Sequence, residues 1–179
     1  RRHPKTLLAA AILAATGAPQ VAFTQDSGAD IEEVVVTGAR GRPRTVSDSP
    51  VPIDVFSADE IRAISHTDTN NVLQTLIPSF NVARQPISDG ATMIRPASLR
   101  GLPTDKTLVL VNGKRRHRAA LVAIGGSGTQ GPDMATVQAS ALKNIEVLRD
   151  GASAQYGSDA MAGVINFILN DNSEGGSLT

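Results

Sequence analysis

Lys114-Arg115-Arg116-His117-Arg118 is the densest cationic run in the chain and the first place to look for chemistry. Such a run could hold an anionic ligand, or it could simply solvate the returning arm of a surface hairpin. Arg84 and Arg95 stand in an earlier loop-like stretch and could add to an anion site. Other constellations are missing. His3, His66 and His117 are far apart and lack metal-ligand spacing. Carboxylates are scattered, and no two can be assigned to acid–base work. The absence of cysteine removes disulfides, thiol catalysis and Cys-ligated zinc or iron–sulfur centres. The glycine-rich stretch Gly125-Gly126-Ser127-Gly128-Thr129 lacks the Gly-Lys-Ser/Thr of a phosphate loop and the spacing of a nucleophile elbow. No catalytic residue, metal ligand or cofactor is expected, and the chain does not read as an enzyme.

Composition narrows the partners. Lys+Arg and Asp+Glu both number 17, so a global electrostatic case for nucleic acid fails. Aromatic residues make up only 3%, too few for a stacking platform or a carbohydrate cleft. With 41% hydrophobic residues, a packed core is within reach.

The elements that must position these residues follow in order. Arg1, Arg2, His3 and Lys5 precede the apolar run Leu7 to Ala15, the layout of a secretory signal peptide over residues 1–25. Cleavage is expected between Ala18 and Gln25. Since no initiator Met is present, the natural N-terminus is expected to lie further upstream. Residues 26–45 read as a flexible arm with one β-prone segment, Ile31-Glu32-Glu33-Val34-Val35-Val36-Thr37. That segment is either an edge strand of the following domain or a strand offered to another protein's sheet edge.

Residues 46–170 read as one small α+β domain, with two or three helices on a mixed sheet. Val51 to Phe56 alternates and carries Pro52, which fits an edge or first strand. Ser57 and Glu60 form a capping box for a short helix, with His66 as a cap at its C-terminal end. A second helix begins near Asp68 with Val72, Leu73, Leu76 and Ile77 inward, and it stops at Pro78. Phe80 and Val82 suggest a strand. Thr107 to Val111 is a buried strand, Asn112-Gly113 a tight hairpin turn, and residues 114–118 the return strand. Residues 134–142 could supply a short helix. Residues 143–169 read as strand, turn, one helical turn stopped by Gly157, turn, strand. Two long loops remain, at residues 84–97 and 119–133, and residues 171–179 turn polar.

The motifs IEEVVVTGAR, LQTLIPSFNV, SLRGLPTDKTLVLVNGKR and IEVLRDGASAQYGSDAMAGVINFIL follow a leader in this order. Together they closely resemble the N-terminal part of TonB-dependent outer-membrane receptors. The resemblance implies a plug domain inside a β-barrel of the outer membrane, with no catalysed reaction. It implies active import of a scarce small ligand (siderophore, cobalamin, glycan or similar), energised through TonB by the inner-membrane complex. Ile31 to Thr37 matches the TonB box, the segment that pairs with the C-terminal domain of TonB. Arg100 and Arg149 match plug arginines that pair with barrel-wall glutamates; without a barrel they should be exposed or paired locally, for instance with Glu146 or Asp150. Asn112 departs from the Asp usual before that glycine, which should leave the hairpin intact.

The resemblance also implies that residues 171–179 lead toward a barrel lying outside this sequence. A barrel of ~22 strands needs over ~200 further residues. A fragment or incomplete gene product is therefore expected, one that transports nothing alone. Arg84, Arg95, Arg115, Arg116 and Arg118 become candidate contacts for an anionic ligand on the outward loops. The commoner fate of the 114–118 run is to solvate its hairpin or face the barrel wall. Rival readings are a soluble periplasmic binding or interaction module and a fragment of a signal-transducing receptor. A transducer carries an extra domain before the box, and only residues 23–30 are available for one here.

Overall fold

The two apolar runs near the C-terminus form the centre of a five-stranded sheet. The computed structural model describes residues 35–36, 44–45, 52–82, 89–123, 128–149 and 152–171. The expected leader, most of the arm, Arg84 and Asp150 lie outside the described residues. Strands β1 (Val35–Val36) and β2 (Arg44–Thr45) pair antiparallel by themselves. Then come β3 (Ile53–Ser57), helix α1 (Ala58–Ala63), helix α2 (Thr69–Leu76), β4 (Phe80–Asn81) and β5 (Ser98–Leu99). The chain continues with β6 (Thr107–Val111), β7 (Lys114–Arg115), β8 (Leu142–Leu148), helix α3 (Ser153–Tyr156) and β9 (Gly163–Leu169). The sheet order is β3-β8-β9-β6-β7, and β4 and β5 form a separate pair. The β6–β9 contact is parallel and the other pairings are antiparallel, so the domain is α+β with a mixed sheet, as its sequence indicates.

Period-2 alternation sorts the strands' side chains onto two buried faces. Val109, Ile145, Val147, Ile165 and Phe167 share one cluster with Ile61 of α1 and Val72 and Leu73 of α2. Leu108, Leu110, Leu148 and Val164 share the other with Ala152, Tyr156 and Ala160. The connection from β8 to β9 therefore does more than link two strands, because its single helical turn covers the second face of the sheet.

Local signals account for the ends of the elements. Ser57 and Glu60 form a reciprocal capping box, the Ser57 N–H donating to Glu60 Oε2 at 2.7 Å. Asp68 caps α2 by accepting from the Asn70 N–H at 3.0 Å. Asn112 (φ 49) and Gly113 (φ 75) both take positive φ in the two-residue turn between β6 and β7. The departure from aspartate is accommodated, since Asn112 Oδ1 accepts the Leu169 N–H at 2.9 Å.

Three expectations need correction. Residues 134–142 form no α-helix. Only a 3-10 turn, Ala139–Ala141, precedes β8, because Gln138 bridges to Asp68 in extended form. The return strand is two residues long rather than five. His66 is exposed beyond the end of α1, where Ser65 rather than His66 donates to the Arg62 carbonyl.

Gly163 starts β9 at φ 140, and a Cβ there would stand 2.5 Å from the Leu148 carbonyl oxygen. Gly163→Ala should destabilise the chain by about 3 kcal/mol or more. Gly101→Ala, at φ +70 with open space around it, should cost about 1–2 kcal/mol. Urea unfolding of both variants measures the difference.

Candidate functional site

The two long loops are joined at their roots. The guanidinium of Arg95 forms an ion pair with Asp68, the carboxylate that also caps α2. The Arg95 backbone N–H donates to Asp133 Oδ1 at 3.1 Å, and the same oxygen accepts from the Ala135 N–H at 3.0 Å. Gly131 lies so close to Pro96 that a Cβ would stand 2.6 Å from the proline Cβ. One guanidinium and two aspartates thus tie the end of the first loop to the end of the second and to the start of α2. Arg95 is half-buried in this joint.

The basic hairpin turns its donors toward the body of the domain. Arg115 and Arg118 both reach Asp159, at 3.1 and 2.8 Å. Arg115 also donates to the Tyr156 carbonyl. Arg116 donates to Thr136 Oγ1 at 2.6 Å. An open trough of about 340 Å³ lies along the hairpin, lined by Val111, Asn112, Lys114, Arg115, Arg116 and His117. Among the described residues no group of His, Asp or Glu side chains could hold a metal ion. No helix among them is long and apolar enough to cross a membrane.

The remaining sites are separate from these. Arg100 sits at φ 56 and donates to the Met161 carbonyl at 3.1 Å. Arg149 pairs with Asp54 on the neighbouring strand. Glu146, expected as a possible partner, is buried and accepts from Asn166 Nδ2 at 2.9 Å. The register explains the difference. Asp54 lies opposite Val147, so it shares the side of β8 to which Arg149 belongs, and Glu146 points the other way. Within Ile31 to Thr37 the described part is Val35–Val36. It pairs with Arg44–Thr45, Val35 opposite Thr45 and Val36 opposite Arg44, and forms no part of the five-stranded sheet.

The carboxylates that hold the arginines, Asp54, Asp68, Asp133 and Asp159, went unassigned in the sequence because their partners are distant along the chain. Asp68 alone carried a signal, standing where a helix begins.

The family model described as TonB-dependent Receptor Plug Domain matches residues 45–164. The chain belongs to the TonB-dependent receptor plug family. The plug is 33% identical over 148 residues to an iron-regulated outer membrane virulence protein of Vibrio cholerae, covering 82% of this chain and 21% of that one. It is 31% identical over 164 residues to the vitamin B12 transporter BtuB of Photobacterium profundum, covering 92% and 24%. Among solved structures, a ferric enterobactin receptor (PfeA) of Pseudomonas aeruginosa aligns with a TM-score of 0.52 and 28% identity, covering 68% of this chain and 18% of that one. The siderophore receptor PirA of Acinetobacter baumannii aligns equally well, with a TM-score of 0.52 and 28% identity over 72% and 18%. The plug thus spans about a fifth to a quarter of its curated relatives. These relatives are named as an outer membrane virulence protein, a transporter and two receptors rather than as enzymes.

The joint at Arg95 generates a test. Arg95→Gln should loosen three regions together: the first turn of α2, residues 93–97 and residues 131–135. Their amide exchange should rise about tenfold or more, because a half-buried carboxylate loses its charged partner. Exchange in β8 and β9 should not change.

Proposed function

We propose that this chain is the plug of an active importer in the bacterial outer membrane. It would be exported by its N-terminal leader, enclosed by its own β-barrel and energised from the inner membrane through TonB. The plug blocks the lumen, the loops at residues 84–97 and 119–133 face outward and contact the imported small ligand, and the arm at residues 31–37 reports to TonB. The observation that carries this reading is the family match over residues 45–164. The names of the relatives support a scarce nutrient as cargo: an iron chelate, as in a ferric enterobactin receptor, or a cobalamin, as in a vitamin B12 transporter.

The pairing of the arm supports the second half of the reading. Val35–Val36 stands apart from the five-stranded sheet, so displacing it breaks no strand pairing of that sheet. Its own ladder with Arg44–Thr45 is two residues long, and a lone two-stranded ribbon is marginal in water. The C-terminal domain of TonB would exchange this weak local partner for a longer one, using main-chain hydrogen bonds. Arg100 and Arg149 are proposed to meet carboxylates of the barrel wall once the plug is enclosed.

Uptake and ligand binding measured side by side test the proposal in the receptor containing this chain. Val35→Pro removes an N–H and fixes φ. It should abolish uptake and leave ligand binding intact, whereas Val35→Ala should be mild. Normal transport by the proline variant would refute the assignment. Thr45→Pro weakens the local competitor and should tighten TonB binding about twofold to fivefold.

A further inference from the structure

Asn112 is the only asparagine of the chain followed by glycine, and the pair forms the exposed turn between β6 and β7. Glycine has no Cβ to shield its backbone nitrogen, so that nitrogen can approach the carboxamide carbon of the preceding side chain. In the step this permits, a bond forms from Gly113 N to Asn112 Cγ and the bond from Cγ to Nδ2 breaks. The proton of the Gly113 N–H leaves with Nδ2 as ammonia. Water then opens the cyclic imide at either carbonyl. One opening gives aspartate, and the other gives isoaspartate, which carries an extra carbon in the main chain. The sum is asparagine plus water giving the acid plus ammonia, with no other reagent.

The fold ties both reacting groups to other partners. The Gly113 N–H donates to Asn166 Oδ1 at 3.0 Å. Asn112 Oδ1 accepts the Leu169 N–H at 2.9 Å, and the Asn112 N–H donates to the Phe167 carbonyl at 2.8 Å. Asn166 is itself fixed, being fully buried and donating to the buried Glu146 at 2.9 Å. Positive φ at both Asn112 (49) and Gly113 (75) closes the turn in the fewest residues a hairpin uses. Imide closure requires the Gly113 nitrogen to leave its acceptor and the Asn112 carboxamide to swing off Leu169. Exposure to water is therefore not sufficient, and the hairpin has to part from the end of β9 first.

We propose that Asn112 is a deamidation site gated by the hairpin: it stays intact while the turn is docked on β9 and converts only in molecules where that dock has opened. Conversion is irreversible, so it records openings of the last strand. The two products act differently on the fold. Aspartate keeps an acceptor oxygen for the Leu169 N–H and leaves the turn in place. Isoaspartate lengthens the backbone between the paired residues Val111 and Lys114, which so short a turn cannot absorb. It detaches the hairpin from Leu169 and loosens the point at which the chain leaves the sheet. The site depends neither on the cargo nor on the TonB reading.

The 179-residue chain is held in mildly alkaline buffer, folded and in parallel in urea, and conversion is followed by peptide mapping with mass spectrometry. In urea Asn112 should convert ahead of every other asparagine. In the folded chain it should convert at least ~tenfold more slowly. The ratio of the two rates should match, within about threefold, the open fraction given by hydrogen exchange of the Gly113 amide in the same folded sample. Leu169→Pro removes the N–H that holds Asn112 Oδ1 and should raise the folded rate about fivefold. Asn112→Asp should unfold at the same urea concentration as the parent chain. The match between conversion and exchange needs no variant, so a misfolded Leu169→Pro leaves the test standing. The proposal is overturned by an unprotected Gly113 amide in the folded chain, or by equal conversion with and without urea while that amide is protected. Another asparagine converting first in urea, a folded Leu169→Pro without effect, or a lowered urea midpoint for Asn112→Asp would overturn it as well.

Discussion

Strand β9 is the element on which the rest of the fold depends. It is hydrogen-bonded on one side to β8 and on the other to β6, and residues 163–167 are all buried. Its contact with β6 is parallel, an arrangement that needs cover on both faces. α1 and α2 cover one face, and the excursion around α3 covers the other. The excursion is short because it need only place Ala152, Tyr156 and Ala160 over Leu108, Leu110 and Val164. Losing it would expose the second face of the central strands to water, which makes it part of the core rather than a connector.

A polar chain fixes the register of that core. Glu146 and Asn166 are cross-strand partners, and both are buried. Asn166 Nδ2 donates to Glu146, and Asn166 Oδ1 accepts the Gly113 N–H at 3.0 Å. Asn112 completes the link to the end of β9 by accepting the Leu169 N–H. A slip of one residue would turn Glu146 into the apolar cluster around Ile145 and Phe167 and strip it of this partner. Leaving a buried carboxylate unpaired costs far more than the bond contributes when made, so the network selects one pairing among several that the apolar residues alone would permit.

What the sequence revealed follows from the range of each interaction. Helix starts at Ser57 and Asp68, the Asn112-Gly113 turn and the glycine-bounded strands are local, and each is legible because its determinants lie within a few residues. Residues 134–138 misled for the same reason. Their composition tolerates a helix, but a distant partner at Asp68 holds Gln138 extended. The candidate site was less legible than the fold. Arginine clusters are visible as residue types, but whether a guanidinium faces solvent depends on carboxylates distant in sequence. Asp159 is more than forty residues from both arginines it receives, and no local pattern announces that contact.

The ion pair of Arg149 illustrates how enclosure would change the value of such contacts. Arg149 is 44% exposed and Asp54 32%, so in water the pair contributes little. Inside the proposed barrel the same two groups would lose solvent, and a weak surface pair would become a costly buried one unless its remaining donors and acceptors are satisfied. A carboxylate on the wall facing Arg149 would not meet a lone cation. It would share the guanidinium with Asp54, and two carboxylates around one cation repel in a dry site. Asp54 therefore tempers whatever grip a barrel carboxylate could have on Arg149. It keeps the arginine compensated before enclosure and makes the added partner less favourable after it. A plug held in this way would be retained by a contact weak enough to exchange, which would suit the proposed role of sealing a lumen and yielding when pulled.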